Sequence, residues 1–600
     1  MPSLRRSVRY ASRRGRRRSI AGARRVLSPR GVLTLHDVDG AFLFAVRAAL
    51  ATALVALPVA QAGRPDLAVY AMLGSFTTTF GRNLPYARRA RVLALVAAAM
   101  TACVGCGSLL AVWAGPKQGA GGAGVVVVAT ALVAGVAKFV CDATRLSGLG
   151  AVLLLFSFAV AANASPTLAD VLPYTGLAAA GAACAWVLGV CGRLVHPDRP
   201  QRLAVATALR RLADLLEASA AGTEVPRRTR HGATVAVLHA YRCLGQPPPE
   251  RARRPGARHD EVFLQLTDLS WTLLVRTTRQ APDDLADTAR RLRRLARILM
   301  DRRRRIPPEL RETPLVPGAP SPLRTAQRDG LHHPTPTAAA QSPTAALRAT
   351  ELLIGRPNGP RHRAALAVPA LRMALGTGAA GGIAVLLHLQ HGYWAAISAA
   401  AVLHSVNVRT TAQRAVQRTL GTLVGLLLAL GVLAAHPEPM TLAVVIVALE
   451  FLLEYVVARN YALGVVFLTP LALLLSDLAA PAPAGELVLD RVLGSVVGIA
   501  VGLLCALLVV HDQAALRVEH ALAACRAATE QAERSLAGHA GPPPPDLQVH
   551  LAETAVELRE ADDAAAGELW PAEIDPAELA AAEQRAYVLL DRLHHRGPAS

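Results

Sequence analysis

Arg47 and Arg372 each stand about two turns into an apolar run, inside similar heptapeptides: Phe44-Ala45-Val46-Arg47-Ala48-Ala49-Leu50 and Pro369-Ala370-Leu371-Arg372-Met373-Ala374-Leu375. Such an arginine can snorkel to the headgroups. It can also face inward and bind a carboxylate through its planar fork, which makes Arg47 and Arg372 the candidate substrate-binding pair. Glu450 and Glu454 are four residues apart in another apolar run, hence on one helical face. Ionisable groups are costly at such depth and mark function. Glu450, the deeper one, has no local cation and could bind and release protons; Glu454 has Arg459 nearby as a partner. The two glutamates are the proton-coupling candidates. Lys138 and Asp142 share the same spacing with opposite signs and can neutralise each other.

Small residues recur every fourth position around Arg418, Gly421, Thr422 and Gly425, and around Arg491, Gly494, Gly498 and Gly502. This spacing lets helix backbones approach closely, so both sets read as static packing motifs, with their arginines as anchors or vestibule groups. Cys103 and Cys106 form a C-x-x-C inside an apolar run and read as packing thiols, not as a metal or redox site. His388, His391 and His404 fall near run ends as interfacial histidines, and Tyr393 and Trp394 fit an interfacial aromatic belt. No metal site or cofactor is expected.

The elements that must position these groups follow from composition. Of 600 residues, 52% are apolar and 18% charged, and the formal net charge is +21; mean hydropathy is +0.34. Soluble proteins are closer to a quarter charged. High hydropathy and high charge coexist only if they sit in different places, which excludes a soluble enzyme and a disordered chain. Crossing a bilayer takes about 20 apolar residues. Six such runs appear near Ala41–Gln61, Asp66–Phe80, Val92–Ala114, Ala123–Cys141, Ser147–Ala164 and Val171–Cys191. Six more follow near Ala364–Leu389, Tyr393–His404, Thr419–Ala435, Thr441–Val457, Tyr461–Leu475 and Val488–Val510, and the second and eighth of the twelve are short.

Basic loops stay cytoplasmic. Eleven arginines lie between Arg5 and Arg30, four more at Arg82, Arg88, Arg89 and Arg91, and three at Arg409, Arg414 and Arg418. The alternate loops hold only Arg64 and Lys117. Both termini are therefore expected in the cytoplasm of a multi-pass protein of the plasma or inner membrane. The arginine-rich start is not an export signal, because Asp37 and Asp39 separate it from the apolar run; a basic tail on anionic headgroups is expected. Only Lys117 and Lys138 are lysines, and no zinc-finger spacing or aromatic-rich basic sheet accompanies the arginines, so nucleic acid is not an expected partner.

The organisation expected is a basic cytoplasmic tail over 1–40, a first membrane half over 41–193, a helical cytoplasmic lobe over 194–305, a proline-rich linker over 306–362, a second membrane half over 363–510 and a helical cytoplasmic region over 511–600. The linker reading rests on nine prolines between Pro307 and Pro343. The halves look like copies. Arg91 follows Arg47 by 44 positions and Arg418 follows Arg372 by 46, and Arg145-x3-Leu149-Gly150 matches Arg459-x3-Leu463-Gly464. Both halves start in the cytoplasm, so the repeat is parallel. The fold class expected is an all-α membrane protein of twelve transmembrane helices, two parallel six-helix repeats with helical cytoplasmic lobes.

His391-Gly392-Tyr393-Trp394-Ala395-Ala396, Arg418-Thr419-Leu420-Gly421-Thr422-Leu423-Val424-Gly425, Asn460-Tyr461-Ala462-Leu463 with Thr469-Pro470, and Arg491-Val492-Leu493-Gly494-Ser495-Val496-Val497-Gly498 resemble the fusaric acid resistance family, part of the wider aromatic acid exporter group that includes plant malate channels. The resemblance is best from about Pro369 to Val510. In the first half Ala94 and Ala98 replace Gly421 and Gly425, which puts equal roles for the halves in doubt. The resemblance implies an efflux permease for organic, often aromatic, acids. The expected partners are the lipid bilayer and an organic anion, with a homo-oligomer left open. An anion channel and a non-transport membrane scaffold stand as alternatives. No Walker A loop is present and no nucleophile–base constellation lies in a polar segment, so ATP drive within the chain and an enzyme are not expected.

Overall fold

The computed structural model describes residue 35 and residues 40–301 and 359–595, with breaks at 83, 117–118, 145, 147–149, 222–225, 245–256, 277–281, 406, 480–482, 509–512, 539–544 and 567–573. The expected basic tail and proline-rich linker lie, except at their edges, outside the described residues. The described residues form nineteen α-helices and no strand.

The membrane part begins with α1 (Ala41–Gln61), α2 (Pro65–Ser75), α3 (Tyr86–Ala114), α4 (Ala120–Ala143), α5 (Gly150–Ala162) and α6 (Leu168–Val195). It resumes with α11 (Gly359–Leu386), α12 (Tyr393–Leu403), α13 (Val408–Ala434), α14 (Pro439–Val456), α15 (Tyr461–Ala479) and α16 (Ala484–Leu508). Nine of these twelve helices are long and apolar enough to cross a membrane. The others, α2, α5 and α12, have 11, 13 and 11 residues. At about 1.5 Å per residue they reach roughly 16–20 Å of a core about 30 Å thick. Two of these, α2 and α12, are the second and eighth runs, read as short from the sequence; the third, α5, falls in a run read as a span, and the second run also takes in the 3-10 turn Phe76–Thr79 that ends it. Short helices survive here because they are enclosed. Every residue of α12 except Tyr393 is buried, the pattern of a helix apolar on all sides. Long helices instead keep an apolar stripe outward, as Val128, Leu132, Val136 and Val140 do on α4.

The same packing network occurs twice. In the first set α1 packs on α2 and α6, α2 on α6, α3 on α5 and α6, and α4 on α5. In the second, α11 packs on α12 and α16, α12 on α16, α13 on α15 and α16, and α14 on α15. The sets meet reciprocally: α1 lies against α14 and α4 against α11, while α2 touches α15 and α5 touches α12.

Outside the membrane, α7 (Arg199–Ala220), α8 (Arg227–Leu244), α9 (Ala257–Arg276) and α10 (Pro282–Met300) join α17 (Gln513–Ala537), α18 (Pro545–Ala565) and α19 (Pro576–His595). Leu209, Leu212 and Leu216 of α7 pack with Leu292 and Leu299 of α10 in one core. That core also takes Leu522, Leu551 and Leu589 from the C-terminal helices, so the two polar regions form one body. Arg227 to Glu583, Arg242 to Glu553 at 3.0 Å, and Trp271 Nε1 to Gln548 Oε1 at 3.3 Å cross the join. This body reaches the membrane helices at Asn407, whose Oδ1 accepts from the Thr410 amide at 2.9 Å to cap α13. Its Nδ2 donates to the Ala564 carbonyl at 3.1 Å.

Candidate functional site

Three arginines are buried in the second set of helices, Arg372, Arg418 and Arg491, and the last two meet side chains of α12. Arg418 on α13 and Arg491 on α16 are each 1% exposed. Helix α12 lies between them. Arg418 Nη2 donates to Ser398 Oγ at 3.1 Å, and Nη1 to Tyr461 Oη on α15 at 3.2 Å. One turn earlier on α12, the Trp394 ring lies beneath Arg491, whose guanidinium carbon is 3.8 Å from the ring centroid. The two cations are within electrostatic reach of each other, and neither makes an ion pair among the described residues. Arg418 Nε, Arg491 Nε and Arg491 Nη1 are buried without a hydrogen-bond partner.

Glycines explain how these helices come so close. A Cβ on Gly494 would lie 3.1 Å from Trp394 Cβ, and one on Gly498 would lie 2.3 Å from the Ala395 carbonyl oxygen and 2.6 Å from Ser398 Cβ. On α13, a Cβ on Gly421 would meet the Ala462 oxygen at 2.7 Å, and one on Gly425 the Val466 oxygen at 2.8 Å. Along α16, Gly494 faces Trp394 and Gly498 faces Ser398, so α16 runs parallel to α12 and Ser495 steps from the Arg491 level toward the Arg418 level. Helix α13 follows α12 through a short reversal, so Thr422 steps from the Arg418 level toward Arg491. The hydroxyls of Thr422 and Ser495 are buried and unpartnered, as is Thr469 Oγ1 on α15.

The first set builds a neutral counterpart. A Cβ on Gly181 of α6 would lie 2.0 Å from the Ala71 oxygen of α2, the same close approach that Gly498 makes to Ala395. Seven residues before Gly181 stands Tyr174, as Arg491 stands seven before Gly498; Tyr70 precedes Ala71 as Trp394 precedes Ala395. Tyr174 stacks on Tyr70 at 3.8 Å with rings 15° apart. Arg91, the sequence counterpart of Arg418, is exposed.

A second cluster lies where α1 meets α14. Glu454 is ion-paired with Arg82, across 372 positions of sequence. Arg459, its expected local partner, lies instead 4.1 Å from the Tyr455 ring centroid. The Arg82 guanidinium carbon is 3.7 Å from the Phe44 centroid, and Phe42 meets Phe451 edge-on at 5.8 Å. One turn deeper, Glu450 is 1% exposed and both its carboxylate oxygens lack a hydrogen-bond partner. Lys138 Nζ pairs with Asp142 Oδ1 at 2.8 Å.

Arg47 and Arg372 are placed differently from each other. Arg372, 3% exposed, donates from Nη2 to the carbonyls of Leu403 at 3.3 Å and Ser405 at 2.8 Å, where it meets the C-terminal end of α12. Arg47 is partly buried, donates from Nε to the Leu43 carbonyl at 3.3 Å and lies 5.8 Å from the Phe44 ring centroid. Trp394 is not part of an interfacial belt: it is 3% exposed and packs on Phe156 of the first set at 5.8 Å. His391 Nδ1 lies 2.9 Å from Asp490 Oδ2, and Tyr393 Oη lies 3.4 Å from Ser476 Oγ. The eight cysteines are free, and no group of His, Cys, Asp and Glu among the described residues could hold a metal ion.

Residues 379–505, which contain Arg418, Glu450, Glu454 and Arg491 but neither Arg47 nor Arg372, match the family model "Fusaric acid resistance protein-like". The chain is a membrane protein whose residues 379–505 are similar to that family. Over 574 residues it is 26% identical to the "Uncharacterized membrane protein YvaC" of Bacillus subtilis (strain 168), covering 93% of this chain and 86% of that one. No solved structure matches. The matched segment thus holds Arg418 and Arg491 together with Glu450 and Glu454, while Arg82 lies outside it. The sequence signal for its arginine pair was the Arg-x2-Gly pattern shared by 418–421 and 491–494, where the glycines read as packing and the arginines as anchors or vestibule groups.

Proposed function

We propose that this protein is a proton-linked permease that exports organic acids, aromatic ones among them, across the plasma or inner membrane. In this reading the chain has two parallel six-helix repeats and twelve membrane segments, three of them short, with both termini in the cytoplasm. The reciprocal packing of the two helix sets supports the repeat. The description of the matching family supports the substrate class. The observation that carries the mechanism is Glu450, whose two buried carboxylate oxygens have no partner one turn from a glutamate paired to the opposite helix set. A carboxylate without a donor to hold its charge is suited to take up a proton from one side and give it to the other. Movement of α14 against α1 would shift Glu450 and the Arg82–Glu454 pair together. Arg47 and Arg372, near the expected cytoplasmic ends of α1 and α11, would attract anions to the mouth of the path.

The test is uptake of aromatic and aliphatic acids into inside-out vesicles with and without a lumen-acid proton gradient. Gradient-stimulated uptake is expected. Gradient-independent current would replace the permease by a channel, and no movement under either condition would leave a scaffold.

A further inference from the structure

We propose that Arg418 and Arg491, with the hydroxyls of Ser398, Thr422 and Ser495, form a binding site for a single organic carboxylate inside the segment similar to the fusaric acid resistance family. The argument starts from cost. An isolated buried charge is among the most expensive features a fold can hold, and here two buried guanidinium groups lie against α12 with no ion pair among the described residues. Buried polar atoms are nearly always hydrogen-bonded. Three nitrogens of these guanidinium groups and the Thr422 and Ser495 hydroxyls are not. The unmet nitrogens can only donate and the hydroxyls can turn to donate, so the group that completes them is an acceptor carrying negative charge.

The nearby carboxylate is already engaged. Asp490, next to Arg491 in sequence, holds the His391 imidazole and its backbone amide. The phenols at the site are Tyr461, bonded to Arg418, and Tyr393, near Ser476. The Arg414 guanidinium carbon is 5.3 Å from the Tyr461 ring centroid. Among the described residues no carboxylate pairs with either arginine.

Packing does not require them either. The first helix set makes the same glycine-backed contact between α2 and α6 and fills the equivalent place with the neutral Tyr70–Tyr174 stack. The architecture therefore closes without guanidinium groups, and the charge is an addition specific to the second set. The stagger of the two cations along α12, one opposite Trp394 and one opposite Ser398, sets the ligand. A carboxylate lying between the two levels reaches both arginines, while its organic remainder lies along Trp394 and α12. The site deepens the export reading by supplying the anion step, and it depends on that reading only for the choice of probe.

Binding is measured without transport, on the purified full chain in detergent. The probes are benzoate and succinate, with benzamide as the uncharged control. The signal is Trp394 fluorescence, with Trp394→Phe to identify it. Saturable quenching by at least one carboxylate and none by benzamide is expected, with affinity falling at least tenfold in Arg418→Gln and in Arg491→Gln. Arg491→Tyr, which copies the first set, should abolish binding while leaving thermal stability equal or higher, because an uncompensated charge is gone. The proposal is overturned if neither carboxylate quenches, if benzamide binds equally, if both glutamine variants bind as the parent does, or if Arg491→Tyr markedly lowers the melting temperature. Intact binding in a protein that shows no gradient-driven uptake would remove the proton-linked reading and keep the site. Normal uptake with binding indifferent to both arginines would do the reverse.

Discussion

Replacing Gly498 with alanine probes the close approach on which the matched segment depends. The new Cβ would sit 2.3 Å from the Ala395 carbonyl oxygen and 2.6 Å from Ser398 Cβ, with the Ala399 nitrogen at 3.0 Å. Two of those three neighbours are backbone, which cannot swing aside as a side chain can. The helices must separate, and overpacking of this kind costs about 1–3 kcal/mol. Gly502, one turn on, is an internal control: its Cβ would meet the Ala399 oxygen and Val402 at an ordinary 3.4 Å, so Gly502→Ala should match the parent or exceed it by up to about 1 kcal/mol through helix propensity. Gly431 has nothing within 4 Å, and alanine there should stabilise by about 0.5–1 kcal/mol through helix propensity. Reversible unfolding in mixed micelles gives all three differences. Separation at Gly498 also lifts Trp394 from Arg491, so the tryptophan emission should shift in that variant alone. Equal stability for Gly498→Ala and Gly502→Ala would refute the packing of α12 on α16 described above.

Arg372→Gln removes charged donors to the Leu403 and Ser405 carbonyls and should destabilise by about 1.5–3 kcal/mol, whereas Arg47→Gln should change stability little; vesicle uptake of carboxylates by the two variants tests their role at the mouth. In the body formed by α7–α10 and α17–α19, burial depresses the His239 imidazole below its ordinary 6.5, and Arg242 adds to the effect. The unfolded chain therefore binds that proton first, so the His239 contribution is complete above 6.5 and is lost as pH falls from there through the depressed folded value; denaturant unfolding of the body should weaken over that interval, and less so in His239→Gln. On topology, single cysteines at Gly119 and Pro166 should react with an impermeant thiol reagent outside intact cells once the native cysteines are removed. Those at Pro85 and Ala221 should not, and labelling of Ala221 from outside would overturn the cytoplasmic placement of the helical body.

Much of the fold was legible because apolar length and arginine position are one-dimensional properties. The first run was read as Ala41–Gln61, and α1 occupies those residues. Two of the three short segments, α2 and α12, were read as short; α5 was read as a span because hydropathy counts apolar residues whether or not the backbone stays helical, as also at Phe76–Thr79. The site was harder to read because a sequence gives a residue's depth along a helix but not what faces it across the bundle. Arg418 and Arg491 looked like end anchors, yet both turn inward against α12. Glu454 had a cation five positions away, but its partner comes from the other helix set. Local spacing predicted the Lys138–Asp142 pair correctly, since both residues lie on one helix. The joining of α7–α10 with α17–α19 was invisible because amphipathic faces show that a partner is needed without saying which.

The central claim is that outward movement of an organic acid is tied to proton movement through Glu450. It is tested most directly by a pH-sensitive dye sealed inside vesicles bearing the purified protein, prepared inside-out with an acid lumen. Adding a transported carboxylate outside should make the lumen more alkaline, in step with carboxylate accumulation, and Glu450→Gln should abolish both while the protein remains inserted and folded. Accumulation without any change in lumenal pH, or an unchanged response in Glu450→Gln, would contradict the account.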